Sequence, residues 1–156
     1  MKKKLQKLLK NQKGLTLVEL LAVVVILGII AAIAVPSIAN IIDNSKKDAH
    51  IANAEQMISA ARLAVAAGDY KPTAEGTKTA TMDDLVTKGY LENAIEDPDG
   101  TSTSPNYNGT NTKVDIINEG GKITYKVSLD GVERDITAKT SADLTRDKAF
   151  TTTTTP

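Results

Sequence analysis

The sequence contains no cysteine and no tryptophan, and its 156 residues include only four tyrosines, one phenylalanine and one histidine. Without cysteine the chain cannot form disulfides, thiolate metal sites or a thiol nucleophile. With so few aromatic side chains, a core must be built mainly from Val, Ile, Leu and Ala. The length leaves room for one domain and a membrane segment.

Positive charge is concentrated at the start of the chain. Six of the 19 basic residues lie in residues 1–14, which contain no acidic residue. Residues 15–156 contain 13 basic and 19 acidic residues and therefore carry a net charge of −6. Because nucleic acids are bound mainly through their phosphates, we expect no direct binding of nucleic acid by this acidic body.

A long uncharged segment follows, the 23 residues from Leu20 to Ile42. As a helix it would be about 35 Å long, enough to cross the hydrocarbon layer, and the basic leader predicts a cytoplasmic N-terminus. A permanent anchor and a secretory signal cleaved after Ala34 are two interpretations. Glu19 favours neither, because a carboxylate in an apolar segment is costly and neither needs one.

The residues around this acid, Lys13-Gly14-Leu15-Thr16-Leu17-Val18-Glu19, resemble the processing site of type IV pilins and pseudopilins. The resemblance covers about residues 10–45. It implies that prepilin peptidase cleaves between Gly14 and Leu15 and methylates the new amine of Leu15. Glu19 would then be the fifth residue of the mature chain, where the family has an acid. One departure is that Leu15 replaces the usual Phe.

This resemblance gives Glu19 a role in assembly. Two buried opposite charges cost less when they are paired, so the amine of one subunit would approach Glu19 of a neighbour and set their register. Gly28 and Pro36 are predicted to weaken the helix. The resemblance implies that the stretch between them loses helicity in a filament, and an ordinary membrane-helix kink is the alternative.

We divide the predicted chain into a leader (1–14), a transmembrane and filament-core helix (15–42), an amphipathic helix half (43–68), a globular head (69–148) and a disordered Thr-rich tail (149–156). The helix should run from Leu15 to Ala67 and end at Gly68. Its amphipathic half carries an apolar stripe that includes Ile51, Ile58 and Val65.

The head is predicted to contain a short helix and an antiparallel sheet. A capping box of Thr81 and Asp84 begins the helix, 82–88. Strand patterns at 114–118, 122–129 and 132–138 predict three strands, with a fourth possible, joined at Gly120-Gly121 and by a two-residue hairpin at Asp130-Gly131. The expected fold class is α+β, with a type IV pilin-like arrangement of a long helix on a small sheet.

The sequence contains few candidates for catalytic, metal-binding or modified residues. His50 has no second histidine near it and is predicted to be a solvated surface residue. Asp97-x-Asp99-Gly100 fails the pattern of a calcium loop, because the Gly is misplaced and no Glu stands at the twelfth position. Asn108-Gly109-Thr110 matches the glycosylation triplet, which often arises by chance. We therefore expect no catalytic residue, metal or cofactor, and a protein that is not an enzyme.

The resulting hypothesis is a structural subunit of a type IV pilus-like filament that serves adhesion, motility or DNA uptake. The resemblance implies a homo-oligomeric helical filament, prepilin peptidase, an assembly platform protein and an ATPase as partners. The subunit would lie in the cell membrane before assembly and in an extracellular filament afterwards. Residues 83–100, DDLVTKGYLENAIEDPDG, also resemble the connector in many pilins of Gram-positive bacteria. The length of the mature chain and the size of its head favour a major pilin. The alternatives are a pseudopilin of a type II secretion or competence system and a secreted binding domain.

Overall fold

The computed structural model describes residues 16–150, and the chain divides into two compact units, residues 1–42 and 43–156. A single helix, α1 (Leu17–Ala67), begins in the first unit and ends in the second. This confirms the prediction of one long helix over the described residues. Leu15, where we expected it to begin, lies outside them.

The C-terminal end of α1 is closed by Gly68, as predicted. Gly68 has φ +95°, and its N–H donates to the carbonyl of Val65, while the N–H of Asp69 donates to the carbonyl of Ala64. These two bonds form a Schellman motif, in which a left-handed residue satisfies the last carbonyls of a helix. Glycine suits this position because its φ is strained for residues that carry a Cβ.

The second unit contains a four-stranded antiparallel sheet in the order β1-β2-β3-β4, which confirms the predicted α+β fold. The strands are β1 (Gly76–Thr81), β2 (Lys113–Glu119), β3 (Lys122–Leu129) and β4 (Ile136–Lys139), with a short 3₁₀ helix at Ser141–Asp143. The sequence had indicated β2, β3 and β4 but not β1.

The second helix, α2 (Met82–Thr87), follows β1 directly. The predicted capping box is present, because the Thr81 hydroxyl accepts from the N–H of Asp84, and the Asp84 carboxylate accepts from the N–H of Thr81. Lys88 is the C-cap residue, and Gly89 follows with φ +77°.

One of the two predicted turns is correct. Gly120 and Gly121 both have positive φ and join Glu119 to its partner Lys122 in a two-residue hairpin. The two-residue hairpin predicted at Asp130-Gly131 is wrong, because β3 and β4 are joined by the six residues 130–135.

Side-chain acceptors explain this wider loop. The N–H of Gly131 donates to Oδ1 of Asp135 at 3.0 Å, and the N–H of Val132 donates to Oδ2 of Asp97 at 2.7 Å. These carboxylates hold the backbone of the loop, and the chain therefore forms no tight turn after Leu129.

The core of the second unit is formed where α1 faces the sheet. Apart from Met57 and Ile58, the apolar residues that α1 buries are alanines, and the strands bury Ala80 together with β-branched residues and Leu. The fully enclosed apolar residues are Ala54, Met57, Ile58, Ala61 and Ala64 of α1 with Ala80, Val114, Ile116, Val127, Leu129 and Ile136 of the sheet. Of the predicted stripe, Ile58 is central, whereas Ile51 and Val65 are only partly buried. The buried face is therefore rotated slightly from the predicted one.

The first part of the predicted tail belongs to the fold. Ala149 is fully buried, and Phe150 is half-buried and forms an isolated antiparallel bridge with Ile136. The assignment of residues 149 and 150 to a disordered tail is therefore wrong, because both pack against the sheet and helix. Residues 151–156 lie outside the described part of the chain.

Candidate functional site

The first unit presents an apolar surface. All the large hydrophobic residues of α1 between Leu17 and Ile42 are exposed, and the most apolar window has a mean hydropathy of 3.0 with none of it buried. Within residues 16–150, α1 is the one helix long and apolar enough to cross a membrane. Exposing this much apolar surface to water is unfavourable, so the segment requires lipid or protein around it.

Glu19 lies in the first turn of α1 and is part of a capping box. Its Oε2 accepts from the backbone N–H of Thr16 at 2.7 Å and from the Thr16 hydroxyl at 2.9 Å, and its own N–H donates to that hydroxyl at 3.2 Å. Thr16 is thus the N-cap and Glu19 the N3 residue. The sequence analysis missed this T-x-x-E pattern.

The capping box occupies only one carboxylate oxygen. Within residues 16–150, Oε1 of Glu19 accepts no hydrogen bond, and the side chain is exposed. One oxygen therefore stabilises the start of the helix while the other is accessible to an amine.

The structure places the remaining predicted site residues as follows. Gly14 and Leu15 lie outside the described residues. Gly28 and Pro36 both lie inside α1, which continues through them. A Cβ at Gly28 would meet nothing within 4 Å, and Pro36 lacks the N–H that would bond the carbonyl of Ala32. The helix is therefore intact at both positions but has one hydrogen bond fewer at Pro36.

A buried polar cluster in the second unit was not predicted. His50 is fully buried, so its assignment as a solvated residue is wrong. Its Nε2 lies 3.0 Å from Oδ2 of Asp99, and its Nδ1 lies 2.5 Å from the hydroxyl of Tyr107. Since a carboxylate only accepts hydrogen bonds, a neutral His50 carries its proton on Nε2 and accepts from Tyr107.

Sequence spacing contained the signal for His50. It precedes Ala54 by four residues, Met57 by seven and Ala61 by eleven, so it lies on the same face of α1 as these buried residues. The absence of a second histidine excludes some metal sites, but it does not indicate exposure.

Two cations complete the cluster around Asp99. Nζ of Lys46 lies 2.9 Å from its Oδ1, and Nη1 of Arg134 lies 2.7 Å from its Oδ2. Arg134 also pairs with Asp43. Burial disfavours the charged form of Asp99, but the bonds from Lys46 and His50 and the charge of Arg134 hold its pKa below the ordinary value.

Asp97 joins this cluster through the backbone. Its carboxylate accepts from the N–H of Asp99 and of Val132, while Asn53 donates to the carbonyl of Glu96. The cluster therefore ties two loops, 96–107 and 130–135, to α1. Burial also raises the pKa of Tyr107, which stays protonated and able to donate.

His50, Asp97 and Asp99 bring possible ligand atoms within 4.8 Å of one another. However, Lys46 and Arg134 already neutralise Asp99, and a divalent cation would add to two positive charges. The geometry fits a structural hydrogen-bonded cluster better than a metal centre.

Comparison with known proteins finds a family model that matches the N-terminal segment and relatives that match most of the chain. The model of the prokaryotic N-terminal methylation motif matches residues 9–35. A fimbrial protein of Pseudomonas aeruginosa is 30% identical over 134 residues, which are 80% of this chain and 84% of that protein. The type II secretion system core protein G of the same species is 31% identical over 102 residues.

The match to the secretion protein spans 64% of this chain and 61% of the relative's length. No solved structure matches the chain. An apolar N-terminal helix, a methylation motif and a small antiparallel sheet define a prepilin-type protein. The chain belongs to the type IV pilin and pseudopilin family.

This confirms the resemblance stated from residues 13–19. The further suggestion of a Gram-positive type receives no support, since both relatives are proteins of Pseudomonas aeruginosa. The family consists of structural subunits.

Proposed function

We propose that the protein is a filament subunit that is cleaved after Gly14, methylated at Leu15 and assembled through α1. The observation that carries this proposal is the exposed, uncharged surface of Leu20–Ile42, preceded by a carboxylate with one accessible oxygen. Removing this surface from lipid requires other apolar surface to cover it, and further copies of the same segment provide it.

The charge of Glu19 provides a register for this packing. Cleavage before Leu15 creates an α-amine that is cationic at neutral pH. In an apolar bundle this amine and Oε1 of Glu19 in a neighbouring subunit stabilise each other, whereas each alone would be costly. Oε2 meanwhile keeps its bonds to Thr16.

The proposed partners follow from this sequence of steps. A prepilin peptidase acts on the leader, a membrane platform protein and a cytoplasmic ATPase drive assembly, and copies of the chain form the filament. The subunit begins in the membrane with its N-terminus in the cytoplasm, and the filament lies outside the cell. Adhesion, motility and DNA uptake are the candidate uses of such a filament.

Electron microscopy of cells that produce the full chain tests the proposal. We expect filaments from the wild type, and we expect Glu19→Ala to be processed and inserted into the membrane but to form few or none. Normal filaments from Glu19→Ala would contradict the role of Glu19.

A pseudopilin is the second candidate, favoured by the similarity to a secretion system core protein. A pilin should give long surface fibres, whereas a pseudopilin should give short fibres confined to the cell envelope. Fibre length in the same micrographs distinguishes the two.

A further inference from the structure

The two edges of the sheet differ in whether another strand can pair with them. β4 is an irregular edge, because its pairing with β3 contains a register shift and Ala138 has φ +49°. The N–H of Ala138 donates to the hydroxyl of Ser128, and Ile136 forms a bridge with Phe150. Bulges and covering segments keep further strands away from an edge. β4 is therefore protected against pairing with another chain.

β1, at the opposite edge, has no such protection. Its six residues pair with β2 without a register shift. Within residues 16–150, the backbone groups of residues 76–80 form no hydrogen bond outside this pairing. Thr77, Lys78 and Thr79 are exposed. Because a row of unpaired N–H and C=O groups is a template for pairing, β1 can accept a fifth strand.

The side chains of β1 limit what this fifth strand can be. Thr77, Thr79 and Thr81 lie on one face of the strand. The one charged residue, Lys78, has its ammonium 5.7 Å from the centre of the Tyr70 ring. A basic strand would place a like charge beside Lys78, whereas threonines can form hydrogen-bonded pairs with the threonines of β1. The edge therefore fits an uncharged strand rich in threonine.

This chain contains such a segment, Thr151–Pro156, which has five consecutive threonines and no charge. It follows Phe150, which lies beside β4 at the far edge of the sheet. In an extended conformation six residues span about 20 Å, the length of β1. Crossing from β4 to β1 of the same sheet takes about 14 Å, which leaves too few residues for pairing. The segment can therefore pair with β1 only in a second copy of the chain.

We infer that residues 151–156 of one copy add to β1 of a second copy as a fifth strand. The inference rests on the proposed function, because it requires the copies to lie side by side in a filament. Each copy donates a strand from its β4 edge and accepts one at its β1 edge. Such a contact between different surfaces continues from subunit to subunit and does not close a dimer. The heads are then joined by backbone hydrogen bonds, in addition to the contacts of α1.

Cysteine cross-linking of filaments tests the contact, and the chain is suited to it because it has no cysteine of its own. Thr77→Cys is combined with a cysteine at each position from 151 to 155 in turn, because a run of identical residues does not fix its register. We expect oxidised filaments to give ladders of disulfide-linked subunits on non-reducing gels. Each cysteine alone should give no more than dimers.

Thr124→Cys is the matched control. It lies on the same face of the sheet as Thr77 but two strands away, because both residues pair with Ile117. A segment paired at the edge would be about 14 Å from it, beyond the reach of a disulfide. Thr124→Cys with the same second cysteines should therefore give no ladder. A ladder from Thr124→Cys but not from Thr77→Cys would place the segment on the face of the sheet and overturn the inference.

The outcomes separate this inference from the proposed function. Filaments that form but give no ladder through position 77, or that give only a disulfide within one subunit, would overturn the strand addition. An absence of filaments from the wild-type chain would instead contradict the proposed function.

Proline in the segment gives an independent measurement. Successive N–H groups of a strand point to opposite sides, so one of two adjacent prolines must remove a hydrogen bond to β1. We expect Thr152→Pro with Thr153→Pro to reduce the ladder through Thr77→Cys and Thr154→Cys about tenfold. Thr152→Val with Thr153→Val keeps both N–H groups and should retain the ladder. Equal ladders from the two pairs would count against the inference.

Discussion

Glu19 combines two roles in one side chain. As the N3 residue it accepts hydrogen bonds from the N-cap Thr16, and as an anion it is available to an amine through Oε1. A capping box needs only a hydrogen-bond acceptor at N3, and glutamine also serves. An ion pair with an amine needs the negative charge.

Replacing Glu19 by Gln separates these roles. The amide oxygen can retain the bond to the N–H of Thr16, so the start of α1 should be intact, but the charge is lost. We expect Glu19→Gln to lose filaments as Glu19→Ala does, and Glu19→Asp to retain some. Filament mass recovered from sheared cells measures this. Full assembly by Glu19→Gln would mean that capping, rather than charge, is what assembly requires.

Removing a single atom, the hydroxyl oxygen of Tyr107, tests how much the buried cluster stabilises the protein. Tyr107→Phe removes the hydroxyl that donates to Nδ1 of His50, with little change of shape. Leaving that nitrogen buried without its donor should cost about 1–3 kcal/mol. Thermal unfolding of the purified full chain in detergent measures the loss.

Tyr125→Phe is the matched control, because Tyr125 is only partly buried. It should unfold within about 0.5 kcal/mol of the wild type. Similar losses in the two variants would show that the cluster adds no particular stability.

At the scale of elements, α1 was the most predictable part of the molecule. Its uncharged run, its periodic apolar residues and Gly68 are all local features, and local features determine where a helix forms and ends. Burial was less predictable, because the face that the helix turns to the sheet depends on the packing of several residues at once. His50 is a different case, because its spacing from Ala54, Met57 and Ala61 already placed it on the buried face of the helix.

The strands show the same distinction. The alternation in Lys122–Leu129 predicts β3, and Gly120-Gly121 predicts the turn before it. β1 has the sequence GTKTAT, whose Thr and Lys residues show no apolar alternation, and it is a strand because it pairs with β2. The loop after β3 depends on Asp97, a residue distant in sequence.

Gly28 inside α1 and Gly68 directly after it lead to opposite expectations. Gly68 has φ +95°, so Gly68→Ala should cost about 1–2 kcal/mol through strain at the Schellman motif. Gly28 lies in regular helix with free space for a Cβ, so Gly28→Ala should not destabilise the protein. Melting temperatures of the two variants test the pair, and a stable Gly68→Ala would contradict the assigned cap.

For the whole molecule, ion pairs predict how stability depends on pH. Asp99, Asp43 and Asp48 each have a pKa held below the ordinary value, with Lys46, Lys47 and Arg146 among the causes. Such groups bind fewer protons in the folded state than in the unfolded state near pH 4. Their contribution to the free energy of unfolding is fully present at pH values above the pKa of these carboxyls in the unfolded chain. It is lost as the pH falls through their lower pKa in the folded protein.

We therefore expect the melting temperature to be constant from about pH 7 to pH 5 and to fall steeply between about pH 4 and pH 2. Asp99→Asn should make the melting temperature fall less steeply with decreasing pH, because one of the carboxyls with a lowered pKa is absent. A melting temperature that rises on acidification would contradict the assignment of these ion pairs.

For the whole molecule, the proposed assembly depends on processing, since only a chain cut after Gly14 has a free α-amine at Leu15 to pair with Glu19 of a neighbour. Mass spectrometry of the N-terminal peptide of the assembled protein measures this directly. We expect a peptide that begins with N-methylated Leu15. A peptide that begins at Met1, as in a permanent anchor, or at Val35, as in a secreted domain, would contradict it.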